Sequence, residues 1–360
     1  MKKLLTLLAG SSLAFYMQAC SDNSTSADDD PLKPGSVYVF GSDYKTGELR
    51  WVLEDGVSEK SLQFNQDSKI VGIDGNLFVL ERLKADNLAL VDVSENKVKW
   101  QIDLDDGANP SDVVKANKDE VWLALDGVAK FVKVSVKDGK ITKTVETKKF
   151  NQGKATTPNL VDFEVSGDTL FALFQRSENY TYPAPGLLAL YKLDNGDLLD
   201  TIKLAKKNPM AMGFAQGKLY VASQGEYNEN YGTDADEARG IEEVDLSKKS
   251  SSLVVSGKKI GGGAYAFAVD SDENVAYAAV YKGYGDVPLM KIDLAKKTAE
   301  EVSGVSDVEG SLFFDDVDGV LYVGDRSSKN GGLYKYDSGK VSKVESPKEM
   351  LPVYSIAIVR

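Results

Sequence analysis

VYVFGSDYKTGELRWV, residues 37–52, decides the fold. An unbroken apolar run of four residues meets a Gly-Ser-Asp break, a Thr-Gly turn follows, and a second apolar run begins, so the stretch reads as strand, turn, strand. Its first half recurs along the chain. LFVL stands at 77–80, VWLAL at 121–125, LFALF at 170–174, LYVAS at 219–223, VAYAAV at 275–280 and LYVGD at 321–325, most of them preceded by a Gly, Asp or Asn turn. From residue 37 onward no stretch sustains a 3.6-residue apolar period, so the chain is all-β.

Hairpin turns fall at Gly47, Asn96, Gly139, Gly196, Lys249, Lys297 and Gly339. Their spacing of 42 to 57 residues fits a four-stranded repeat of 40 to 50 residues far better than sandwich strands with a turn every 8 to 12 residues. Seven such turns predict a β-propeller of seven blades, each of four antiparallel strands. Between the hairpins lie SKIVGID, SDVVKAN, MAMGFAQ, YAFAVDS and SLFFDD, which would line the central channel as inner strands. YSIAIV at 354–359 has no blade of its own. It should pair with strands at 37–54 and close the ring, removing two exposed sheet edges. That closing blade would have as few as three strands.

The hairpins carry a family resemblance. VYVFGSDYKTGELRWV resembles the repeat of quinoprotein-like propellers, in which a strand, an Asp, a Thr-Gly turn and a Trp recur. LALVDVSENKVKWQIDL matches it through Trp100 without the Thr-Gly, while LYKLDNGDLLDTIKL and LMKIDLAKKTAEEV look like YVTN-type propellers. The resemblance spans most of 37–360 and implies architecture rather than activity.

The 360 residues, 42% hydrophobic and 27% charged, have a globular composition. The net charge of −12 repels phosphate backbones and argues against nucleic-acid partners. There is no histidine, which removes the commonest general base, the Ser-His and Cys-His nucleophile pairs, and imidazole ligation of zinc or copper. With one cysteine the chain forms no internal disulfide, so packing must supply its stability.

Residues 1–20 read as a signal peptide: Lys2 and Lys3 form its positive end, and Leu4 to Phe15 is apolar but too short to span a bilayer. Met17-Gln18-Ala19-Cys20 resembles the lipobox of bacterial lipoproteins, which implies acylation of the Cys20 thiol and attachment to a lipid bilayer. Residues 21–36, SDNSTSADDDPLKPGS, hold one large aliphatic residue and no aromatic, which describes a flexible acidic tether. Ser21 after the cysteine resembles lipoproteins sent to the outer membrane, and Asp28-Asp29-Asp30 resembles surface-export signals. These resemblances imply a lipid-anchored cell-envelope protein, at the outer rather than the inner membrane.

In a four-stranded blade the loop between the second and third strands emerges beside the connection between blades, on the end where propellers commonly bind ligands. Three consecutive blades have long or aromatic loops there: QRSENYTYPAP (175–185), QGEYNENYGTDADEAR (224–239) and YKGYGDVP (281–288). Tyr180, Tyr182, Tyr227, Tyr231, Tyr281 and Tyr284 are therefore the candidate binding residues, since a Tyr ring and hydroxyl suit sugar stacking or peptide docking. The alternative is that these rings pack their own loops onto the blades. Asp234, Asp236 and Glu237 are candidate ligands for calcium, the one cofactor these loops suggest, although their spacing is not that of an EF-hand. Asp270, Asp272 and Glu273 read as turn chemistry, and Gly261-Gly262-Gly263 as a tight connection.

The leading functional expectation is a non-catalytic binding or scaffold surface for a glycan, a peptide or another envelope protein. The rival class is an enzyme, either a calcium-dependent lactonase-like hydrolase or a quinone-dependent dehydrogenase. The quinone reading is weakened because only Trp51 and Trp100 stand at the repeat position.

Overall fold

A computed structural model describes residues 36–360. The expected signal peptide (1–20), Cys20 and all of the expected tether (21–36) but Ser36 lie outside the described residues. The chain opens with β1 (Ser36–Ser42), β2 (Gly47–Leu53), β3 (Gly56–Val57) and β4 (Leu62–Phe64). Six sequential four-stranded sheets follow. Blade 1 is β5 (Ser68–Ile73), β6 (Asn76–Glu81), β7 (Asn87–Asp92) and β8 (Lys97–Asp103). Blade 2 is β9 (Pro110–Lys115), β10 (Glu120–Leu125), β11 (Lys130–Ser135) and β12 (Ile141–Glu146). Blade 3 is β13 (Leu160–Ser166), β14 (Thr169–Phe174), β15 (Leu187–Lys192) and β16 (Leu198–Lys203). Blade 4 is β17 (Pro209–Ala215), β18 (Lys218–Ser223), β19 (Gly240–Asp245) and β20 (Ser250–Ser256). One helical turn, α1 (Gly257–Ile260), leads into blade 5: β21 (Gly263–Asp270), β22 (Val275–Tyr281), β23 (Leu289–Asp293) and β24 (Thr298–Glu301). Blade 6 is β25 (Leu312–Asp315), β26 (Val320–Asp325), β27 (Gly332–Asp337) and β28 (Lys340–Lys343), and β29 (Val353–Val359) ends the chain.

β29 pairs antiparallel with β1, with Tyr38 opposite Ala357, so the seventh blade takes its inner strand from one terminus and its other strands from the other. The fourth place of that blade is not vacant. β3 and β4 both pair with β2 and divide its length between them, which corrects the expectation of a three-stranded closing blade. A second correction follows. The Gly47 turn joins the second and third strands of its blade, whereas the turns at Asn96 through Gly339 join third and fourth strands. Trp51 on β2 and Trp100 on β8 therefore do not occupy one repeat position.

The apolar residues sort into one cluster per interface between neighbouring blades. The second strands sit at the centre of this packing: Tyr38, Phe78, Trp122, Phe174 and Tyr220 are each almost completely buried. Both faces of these strands meet another blade, which is why they read as unbroken apolar runs rather than as alternation. The fourth strands face solvent; β12 buries no residue fully, as its sequence ITKTVE requires. Ring closure leaves no room for a side chain at Gly72 of β5, where a Cβ would lie 1.8 Å from the Ile358 oxygen of β29.

Inner strands are also stitched by side chains. Asp112 Oδ2 accepts the Phe163 N–H at 2.9 Å, Asp162 Oδ2 accepts the Met212 N–H at 2.7 Å, and Ser355 Oγ accepts the Ile70 N–H at 3.1 Å. Just before each of these residues the inner strand carries a bulge, at Ser111, Val161 and Tyr354, and the last of these sends its side chain to Asp67. Among the described residues no helix is long and apolar enough to cross a membrane.

Candidate functional site

The three long loops emerge on the end of the ring where the inner strands begin. Each is pinned down. In the first, Glu178 and Thr181 exchange backbone hydrogen bonds, and Ser177 Oγ donates to Asn159 Oδ1 at 2.7 Å. In the second, the buried Arg239 guanidinium binds Asp236 (Nε to Oδ1, 3.0 Å) and donates to the carbonyls of Gln224 and Glu226. Thr233 Oγ1 donates to the Tyr281 carbonyl of the next blade and accepts the Gly263 N–H at 2.6 Å. In the third, Gly283 pairs with Asp286, and Val287 with Asp307.

These loops separate the six candidate tyrosines. Tyr182 is 7% exposed and packs its loop down, whereas Tyr180, Tyr231 and Tyr284 are 93%, 79% and 88% exposed. Tyr180 and Tyr231 hold left-handed backbones, with φ of 61° and 59°, a costly conformation for a bulky residue. Tyr227 and Tyr281 come together edge to face at 6.2 Å, and Tyr281 also meets Tyr265 of β21 at 5.8 Å. The candidate calcium ligands do not converge: Asp236 is taken by Arg239, Asp234 accepts from Asn228 Nδ2 at 3.0 Å, and the described residues contain no group of three acids placed to hold a metal.

A second set of residues, unmarked by any motif, completes the channel mouth. Asp67 accepts the Tyr354 hydroxyl at 2.8 Å and lies 3.6 Å from Arg82. The Arg326 guanidinium stacks 4.8 Å from the Tyr44 ring and 5.4 Å from the Tyr354 ring, and its Nε is 3.4 Å from Glu309. Tyr44 donates to the same Glu309 at 2.5 Å. Burial, reinforced by the Glu309 bond, raises the Tyr44 hydroxyl well above its ordinary value, and burial pushes Tyr265 up to about 12, so both stay protonated as donors. Within the mouth several polar atoms are buried without a partner, among them Arg82 Nε and Gln224 Nε2. Unpaired buried donors of this kind need water or a ligand.

Below the mouth, Lys69, Asp112 and Asp162 stand at equivalent places on three successive inner strands, with Lys69 Nζ 3.3 Å from the Ser111 carbonyl. Burial, then the neighbouring Arg82, lowers the Lys69 ammonium. Burial lifts Asp112 to about 6, and burial together with Asp112 lifts Asp162 well above the carboxylate range. The channel thus holds groups able to exchange protons near neutrality.

No family model matches the chain, and no curated protein resembles it in sequence. Solved structures do match. A Lactobacillus plantarum protein covers 91% of the chain over 100% of its own length, with a TM-score of 0.63 at 12% identity. A candidate 6-phosphogluconolactonase from Bacteroides uniformis covers 90% of the chain over 99% of its own length, with 0.62 at 12%. Another from Bacteroides fragilis covers 94% over 100%, with 0.60 at 13%. At such identities the likeness is one of fold. The chain is a seven-bladed β-propeller, and function must be read from its own residues.

Proposed function

We propose that this propeller is a non-catalytic, lipid-anchored envelope protein that binds a glycan at the channel mouth on the long-loop end. The observation that carries this reading is the convergence there of Tyr44, Tyr227, Tyr265, Tyr281 and Tyr354 with Arg82, whose Nε is buried and unpartnered. Flat rings beside fixed donors and carboxylate acceptors suit a sugar, which offers a stacking face and a rim of hydroxyls. The exposed Tyr180, Tyr231 and Tyr284 would extend contact to further sugar units. Cys20 would hold the domain at the outer membrane. A thermal-shift titration with neutral and acidic oligosaccharides tests this. A saturable rise in Tm, lost in Tyr227→Ala and in Arg82→Met, is expected, because a ligand that binds only the folded state stabilises it. A rise that survives both substitutions places the ligand elsewhere and overturns the reading.

A lactonase-like hydrolase is the second reading. It is favoured by Asp112, held near 6, beside Lys69 and Asp162 in the channel. There Asp112 would take a proton from water attacking the lactone carbonyl, Lys69 would steady the oxyanion of the tetrahedral adduct, and Asp112 would return the proton to the ring oxygen as its C–O bond breaks to give the hydroxy acid. Hydrolysis of a sugar lactone above the background rate, abolished in Asp112→Asn, would replace the first reading by this one.

A further inference from the structure

The opposite end of the channel has a different chemistry. Beyond Asp112 and Asp162 the inner strands finish in Val71 and Ile73, Val113, Glu164 and Val165, Met212 and Phe214, Phe267 and Val269, and Phe313 and Phe314. The rings and aliphatic side chains of β17, β21 and β25 wall a cavity of about 460 Å³, within the size range of small-molecule sites. Two acids, Glu164 and Asp316, also line it, and no lysine or arginine does. Asp316 is engaged by Ser271, whose Oγ donates at 2.9 Å. No cation is among the groups acting on Glu164, and the Val165 backbone N–H is the one group that favours its charged form. A second cavity, of about 540 Å³, shares Glu164 and Val165 and is lined by Val71, Ile73 and Val113; its one cation, Lys115, is paired with Asp74.

We propose that this end of the channel is a binding site for an organic cation, an ammonium group carried on an aromatic or aliphatic body. A carboxylate with no cation beside it, set among four phenylalanines, is complementary to such a ligand and to few others. The aromatic faces attract the charge, the apolar wall takes the body, and Glu164 supplies the counter-ion. A sugar or phosphate ligand would meet a wall with no cationic group and too few donors. The site is separate from the mouth where the glycan would bind, so either proposal can fail alone.

The protonation of Glu164 gives the site a signature. Burial, followed by the charges of Asp112 and Asp316, raises its carboxyl to about 8, so near neutrality the empty site is mostly uncharged. The other charged groups on the packed strands are Lys69 and Asp74 on β5 and its turn, Lys115 on β9, Asp162 on β13, Asp270 on β21, and Asp315 on β25, which is paired with Arg360. A permanently charged probe should therefore bind more tightly as Glu164 ionises.

The test is calorimetric titration of the purified protein with benzyltrimethylammonium at about physiological ionic strength, with benzyl alcohol as the uncharged comparison. The dissociation constant should fall about tenfold between about pH 7 and about pH 9, following the ionised fraction of one acid titrating near 8. Glu164→Gln, of the same shape, should lose that dependence and bind about tenfold more weakly at the upper pH, and Phe267→Leu should weaken binding severalfold at both. Benzyl alcohol should show neither effect. Binding of the cation that is unchanged in Glu164→Gln, or no binding at either pH, would overturn the proposal.

Discussion

Arg239 shows how one residue organises a loop. The residue is 4% exposed, and its guanidinium's bonds to Asp236 and to the carbonyls of Gln224 and Glu226 hold sixteen residues of connection against blade 4. Arg239→Met keeps the apolar stem but leaves the buried Gln224 carbonyl without its donor and frees Asp236 and the Glu226 carbonyl, a loss of about 1 to 3 kcal/mol. A lower urea midpoint and new proteolytic cleavage within 224–239 are the expected readouts; unchanged cleavage would mean that the other clamps, among them Thr233, Lys206 on the Glu237 carbonyl and Lys207 on Glu226, suffice to pin the loop. Such residues explain why the tyrosines were only partly legible in the sequence. QGEYNENYGTDADEAR and its neighbours can be recognised as long aromatic loops on one end of adjacent blades. Whether a ring points outward, as Tyr231 does, or inward, as Tyr182 does, depends on which backbone groups the clamping residues capture. Tyr44, Tyr265, Tyr354, Arg82 and Arg326 carried no motif at all, because they come from loops and bulges up to 310 residues apart and meet only when the ring closes.

At the scale of the strand, most of the architecture could be read directly. Second strands are buried on both faces and so print as apolar runs, and the turns before most of them print as Gly, Asp and Asn. The misplacement of the Gly47 hairpin has a simple cause. A hairpin between second and third strands and one between third and fourth have the same local signature, and only the pairing of β1 with β29 shows which one this is. The paired short strands β3 and β4 were illegible for a related reason: two and three residues are too few to display a period. Closure itself makes a prediction. Gly72→Ala places a methyl against the Ile358 carbonyl and must push β5 away from β29, at a cost of about 1 to 3 kcal/mol. Thermal unfolding should fall by several degrees, whereas Gly217→Ala, where nothing lies within 4 Å, should cost only what its φ of 76° demands.

For the whole molecule, the buried acids set the direction of the pH dependence. Asp112 near 6 and Glu164 near 8 bind protons more tightly folded than unfolded, where carboxyls titrate near about 4, so unfolding releases protons. Their effect is a stability that is whole at acid pH and declines as the pH rises from about 4 to about 8. Exposed acids act in the opposite sense: Asp138, held near 2 by Lys140 and Ser135, contributes only above its unfolded value and loses that contribution in acid. Tm should therefore peak near about pH 5, and Glu164→Gln should flatten the fall between there and about pH 8. A profile in which the variant and the parent fall in parallel would show that Glu164 is solvated in the channel. The lipid anchor proposed at Cys20 makes a prediction of the same scale: Cys20→Ser should move the protein from the membrane fraction to the soluble one.

By itself the sequence determined the class of fold, the blade count and the closing role of YSIAIV, because each depends on patterns a few residues long repeated seven times. The absence of histidine also narrowed the chemistry before any coordinate was known. Only the tertiary structure decided what lines the channel. Inner strands present one edge to the channel and both faces to neighbouring blades, so a Lys69, an Asp112 or a Glu164 is indistinguishable in sequence from a polar residue on a solvent-exposed strand. Ring closure brings seven such edges within reach of one another, and that convergence, with the loss of solvent it entails, turns scattered polar residues into a site.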